Sequence, residues 1–178
     1  MESKLKKELE KVFREATSSG ELFDSFQKAL KHKLKDAELY KILLSNIILS
    51  PDEIKMYTEK LCREYKEMCY EIYLWAANIL ESMHAEEHLE TAFEYYRKAI
   101  DTNRTLHQPY VSLVKMYNIE LDLPPKKILL EVLKHGIEEV EHKSKLCRTI
   151  AEFYDILQDK AMKQKYLAMA ARYARSGM

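Results

Sequence analysis

Apolar residues recur at steps of three and four along nearly the whole chain. Leu5, Leu9, Val12, Phe13 and Ala16 form one stripe, which stops near Ser18, Ser19 and Gly20. Leu22, Phe23, Phe26, Ala29 and Leu30 form the next. A third runs through Leu39, Tyr40, Leu43, Leu44, Ile47 and Ile48 and ends at "SPDE". That spacing collects apolar side chains on one face of an α-helix, whereas a half-buried strand would alternate them. Ser50 suits an N-cap, Pro51 the first helical position, and Glu53 the return arm of a capping box. The helix opened there carries Ile54, Tyr57, Leu61, Cys62 and Tyr65. Further helices are predicted near 69–84, 88–102, 107–120, 125–140, 144–157 and 160–175, with short connections and no linker long enough to separate domains. An antiparallel array of helical hairpins follows.

Composition supports this reading. Three glycines and four prolines in 178 residues are too few for the turns of an all-β fold, so the class is all-α. Lysine plus arginine and aspartate plus glutamate number 29 each, so no global field favours nucleic acid or anionic lipid. Nucleic acid is therefore not the expected partner. Cys62, Cys69 and Cys147 are odd in number and lack metal-binding spacing, which fits a reducing, cytoplasmic setting. The charged start "MESKLKKELEKVF" is not a signal peptide, and no apolar run is long enough for membrane insertion.

The stripes also repeat. Ala92-x3-Tyr96-x2-Ala99 has counterparts in Leu22-x3-Phe26-x2-Ala29 and Leu129-x3-Leu133-x2-Gly136. Lys163-x3-Leu167-x2-Ala170 keeps the last two members, and the pattern around Ile54, Thr58 and Leu61 is weak. Units then fall near 3–36, 37–72, 73–106, 107–143 and 144–177, a spacing close to a 34-residue period. On these residues the chain resembles the tetratricopeptide repeat (TPR) family, whose unit is a pair of antiparallel helices. Ala92, Tyr96 and Ala99 match its second-helix signature, and Tyr110, Leu113 and Tyr117 its first. Ile150, Ala151 and Tyr154 match the first helix of the fifth unit. Glu10, Leu44, Leu80 and Val114 stand where the family has glycine, Trp75 lies one residue from the expected large position, and the first two units are degenerate. The resemblance implies one domain over 1–178, a right-handed superhelical array of about five antiparallel helix pairs, or TPR-like α-solenoid. "LWAANILE…AFEYYRKAI" is also similar to the half-a-TPR repeats of RNA-processing factors.

Candidate chemistry is sparse. His84 and His88, four apart, could share a metal on one continuous helix. The repeat register instead makes them flank a turn, and Ala85 stands where a metalloprotease helix needs glutamate. Glu81-x2-His84 and Glu139-x2-His142 have the spacing of di-iron bundle ligands, but such bundles need long facing helices. A metal-dependent helical enzyme is thus the alternative, not the expectation. No nucleophile motif or glycine-rich phosphate cradle is present, so no catalytic residue, cofactor site or metal site is assigned. Lys28, Lys31, His32, Lys33 and Lys35 suit the C-terminal end of a helix, where cations meet the dipole, or else an acidic partner. Arg172 and Arg175 permit the same two readings.

The expected function is therefore a non-enzymatic scaffold or adaptor that binds a peptide or partner helix in a concave groove. The resemblance places Leu74, Ala77, Asn78 and Glu81 in that groove from the third unit. From the fourth come Gln108, Val111, Ser112, Lys115 and Asn118, and from the fifth Lys145, Arg148, Thr149 and Glu152. The family's carboxylate clamp for chaperone tails needs asparagine where this chain has Glu81, Lys115 and Glu152, which argues against that function. Met162, Tyr166, Met169 and Tyr173 form a stripe on the last helix through which two copies could associate.

Overall fold

The computed structural model describes residues 2–83 and 85–176. Within them, ten α-helices account for nearly all regular structure: α1 (Glu2–Glu15), α2 (Ser19–Lys31), α3 (Ala37–Leu44), α4 (Pro51–Glu64), α5 (Cys69–Ser82), α6 (Glu86–Thr102), α7 (Gln108–Lys115), α8 (Lys126–Glu139), α9 (Lys143–Ile156) and α10 (Lys160–Arg175). Two compact units result, Met1–Met83 and His84–Met178.

In the first unit, helix starts follow local chemistry. Ser18 accepts a hydrogen bond from the Glu21 N–H, and Asp36 accepts one from Leu39. Ser50 and Glu53 form the expected capping box, with Pro51 at the start of the helix. Each satisfies amide donors that the first turn leaves without helical partners. The first helices of successive pairs, α1, α3 and α5, pack side by side, with α2 against α1 and α4 against α5. The core is aromatic at its centre. Phe26 meets Tyr57 edge-on at 4.8 Å between ring centres and Tyr40 at 6.1 Å, and Tyr40 stacks on Tyr65. Such pairs add about 0.5–1.5 kcal/mol each beyond burial. The fully buried Tyr40 hydroxyl donates to the Leu34 carbonyl at 2.8 Å, so its polar end is satisfied.

The third helix is shorter than its stripe predicted. It ends at Leu44, Asn46 turns inward, and Ile47 is left 98% exposed. Asn46 causes the change. Its amide donates to the Phe13 and Ala16 carbonyls at 3.0 and 3.2 Å, and its side-chain oxygen accepts from the Ile48 N–H. The oxygen takes the Ile48 amide that another helical turn would use.

In the second unit α6 packs on α7, α7 on α8 and α9, and α8 and α10 on α9. Ala92, Tyr96 and Ala99 are all fully buried, as the repeat register predicted. Gly136 on α8 lies where an added Cβ would come within 2.5 Å of the Tyr110 ring. The small residue is thus required by close helix approach. The α7 helix stops at Lys115, not near 120. Asn118 accepts from the Glu120 and Leu121 N–H groups, and its backbone pairs with Leu123. Asp122, at a left-handed φ of 47°, accepts from Tyr117 and from the Lys126 N–H. These local bonds outcompete another helical turn.

Candidate partner-binding faces

The exposed face of α5 is Glu71, Trp75, Asn78 and Ser82, at steps of four, three and four. Leu74 and Ala77, expected in the groove, are buried. The helix is rotated by about one position, which at 100° per residue moves Trp75 outward. Trp75 is 38% exposed and held by its edge: its indole N–H lies 3.1 Å from the Lys41 carbonyl and 3.0 Å from the Ser45 hydroxyl. Lys41 covers the ring, with its ammonium 5.8 Å from the ring centre. That ammonium is shared by Glu38 and Glu71 at 2.6 and 2.7 Å. Burial lowers its affinity for a proton, but the two carboxylates outweigh this and raise its pKa above the usual lysine value.

These groups border an open cavity of about 560 Å³ between α1, α3 and α5. Ile42, Ile47 and the Trp75 ring supply its apolar surface, and Arg14, paired with Glu10 at 3.2 Å, its cationic edge. The Trp75 N–H is already bonded within the fold, so the ring offers area rather than a donor. Such a site has an apolar lining with charged groups at its rim. Sequence reasoning noted the register of Trp75 but not its consequence. A single tryptophan in phase with Glu71 and Asn78 was the available signal.

Of the residues expected in the groove, Asn78 is exposed and Glu81 half-buried on α5. On the second unit, Gln108, Lys115, Lys145, Arg148 and Glu152 are exposed, and Val111 is half-buried. Ser112 is half-buried, Thr149 is in the core, and Asn118 lies beyond α7 in the connecting loop. The α7 and α9 helices that carry the exposed residues are packed neighbours. His107 and His142, at the N-terminal ends of these two helices, face each other edge-on at 5.9 Å. Burial, then Lys145 and His142, push the His107 pKa below its usual 6.5.

The metal alternative finds little geometric support in the parts described. His84, and with it the expected divergence from His88, lies outside the described residues. Glu139 ends α8, and His142 precedes α9 and faces His107. Among the described residues no group of three or more metal-ligating side chains converges. All three cysteines are buried free thiols, and burial raises the pKa of Cys62 and Cys147, which suppresses the reactive thiolate. Nor does any helix among the described residues have the length and apolarity to cross a membrane. The cationic cluster near 28–35 is partly paired, Lys28 with Glu8 and Lys35 with Glu67, each at 2.7 Å.

Successive antiparallel helix pairs, with first helices beside first helices, define a TPR-like helical-repeat fold. The crystal structure of MamA, a TPR-containing protein, is similar to this chain with a TM-score of 0.55 and 15% identity, covering 89% of this chain and 91% of that one. At that identity the likeness speaks for the fold. No family model and no curated protein matches the sequence.

Proposed function

We propose that the chain is a non-enzymatic interaction scaffold that holds a peptide or partner helix against its first helices. The five helix pairs near 3–36, 37–72, 73–106, 107–143 and 144–177 are the repeat units of this reading. One observation carries it: the chain's single tryptophan is pinned by its edge beside an open cavity and remains 38% exposed. Rigid, partly exposed aromatic groups in pockets are the usual anchors of protein interfaces. Asn78 and Glu81 extend this face along α5. Gln108, Val111, Lys115, Lys145, Arg148 and Glu152 supply the corresponding surface of α7 and α9, polar with a positive bias.

Self-association through α10 belongs to the same reading on a narrower stripe. Tyr166 stacks on Tyr154 in the core, which leaves Met162, Met169 and Tyr173, each half-buried. A reducing, cytoplasmic setting is proposed on the three buried free thiols.

The lone tryptophan makes the test direct. Peptides selected from a random library on the immobilised chain should shift the emission of Trp75 on binding. Trp75→Ala should weaken them by about tenfold or more, the scale of an interface anchor, with helical circular dichroism retained. The K115A/K145A/R148A variant asks whether the second unit contributes. Selected peptides that bind both variants as well as the parent chain would sink the assignment.

A further inference from the structure

The neutral overall charge conceals a sharp division within the second unit. Residues 86–142 hold seven lysines and arginines against eleven acids, whereas residues 143–175 hold eight against three. The excess is concentrated on α10, which contains Lys160, Lys163, Lys165, Arg172 and Arg175 and no acidic residue at all. Lys163 is paired with Asp155 at 2.9 Å. Lys160, Lys165, Arg172 and Arg175 have no carboxylate partner among the described residues.

The position of those four cations matters more than their number. The helix buries Tyr166 and Ala170 against α9, with Met162, Met169 and Tyr173 at one flank. At 100° per residue, Lys160, Lys165, Arg172 and Arg175 all fall within the opposite half-turn. Between them lie Ala161, Gln164, Ala168 and Ala171, all exposed and too small or neutral to screen the charge. The result is a face about 24 Å long, at 1.5 Å per residue, whose only charges are positive.

We propose that this face is a second docking surface, separate from the first-helix faces, and that its occupant is a short acidic polypeptide segment. Charge complementarity selects the sign, because four cations without carboxylate partners on one helix face attract carboxylates and repel the same face of another copy. Field extent selects the class. With 29 basic and 29 acidic residues the chain as a whole presents no net field to an extended polyanion or a charged membrane, whereas a short peptide's charge can end where the cationic face ends. An extended segment of about seven residues spans that length at about 3.3 Å each. The alanines let its backbone approach the helix closely.

Fluorescence anisotropy of a short labelled peptide of alternating glutamate and leucine tests the surface. Binding should occur at low salt and weaken steadily as salt is added, since exposed charges are screened within about 10 Å at 0.1 M. The K160Q/K165Q/R172Q/R175Q variant should lose affinity by about tenfold or more, while K126Q/K127Q, at exposed lysines outside both faces, should bind as the parent does. Circular dichroism checks the fold, and the milder R172Q/R175Q variant decides if the quadruple change unfolds the helix. No peptide binding at low salt, or undiminished binding by the folded variant, overturns the surface. Tighter binding of a single-stranded oligonucleotide, or of phosphatidylserine vesicles, overturns the choice of partner.

Discussion

Asn46 shows how one residue can set the boundary of several elements. Its amide satisfies two carbonyls at the C-terminal end of α1, where the last turn leaves acceptors without helical donors. Its oxygen at the same time fixes the turn into α4. Asn46→Ala strands those buried acceptors, so thermal or urea unfolding should show a loss of about 1–3 kcal/mol. Unchanged stability would mean that the turn is held by other contacts. Thr58 poses the opposite case. It is fully buried on α4, and its hydroxyl has no hydrogen-bond partner among the described residues. Valine has nearly the same shape without the hydroxyl, so Thr58→Val should raise the urea midpoint, by about 1 kcal/mol or less in stability. A falling midpoint would reveal a partner for that hydroxyl. Thr58 also stands where Phe26 and Tyr96 stand in their own repeats, which is why the repeat pattern fades at α4.

At the scale of the element, the repeat stripes were legible because burial requires them. Ala92, Tyr96 and Ala99, or Leu22, Phe26 and Ala29, must share one face for two helices to approach. Helix ends were legible only where the signal is local. Ser50, Pro51 and Glu53 declare a start within four residues, whereas Asn46 stops α3 through partners on α1, distant in sequence. The end of α7 was hidden for a different reason: residues 116–123 keep an apolar pattern while Asn118 and Asp122 take the local amides. Gly136 gives this scale its test. On helix propensity alone, Gly136→Ala should gain about 1 kcal/mol. The new Cβ, however, would meet Tyr110 at 2.5 Å and Leu146 at 3.0 Å in a packed interface. Overpacking of that kind costs about 1–3 kcal/mol, so the clash should win and the melting temperature should fall. A rise would show that α7 and α8 can separate without penalty.

For the whole molecule, the fold class was more legible than the binding faces. Class follows from hydrophobic period and glycine content, which are sums over many residues. A binding face depends on helix phase, and one step of rotation exchanged Leu74 for Trp75 at the surface. Charge partners were equally hidden, because they join residues far apart in sequence. They nevertheless govern how the fold should respond to acid. His107 has its pKa lowered by burial, then by Lys145 and His142, so the unfolded chain binds its proton more readily than the folded one. Its contribution is present above about pH 6.5 and is lost as pH falls through the lower folded value. The carboxylates behave alike in a more acidic window. Burial would raise the Asp36 pKa, but Lys6 and the Leu39 amide outweigh it and lower it below the usual 3.8. The Ser50 backbone amide and hydroxyl lower that of Glu53 below 4.5. Their contribution is present at neutral pH and vanishes as these groups protonate. Thermal stability should therefore hold steady from about pH 8 to 7, decline first below about pH 6.5, and decline again below about pH 4.5. His107→Gln should remove the first decline and leave the second, because glutamine cannot take up the proton. Melts followed by circular dichroism across this range decide the matter: an unaltered first decline in the variant would assign the early loss to another group.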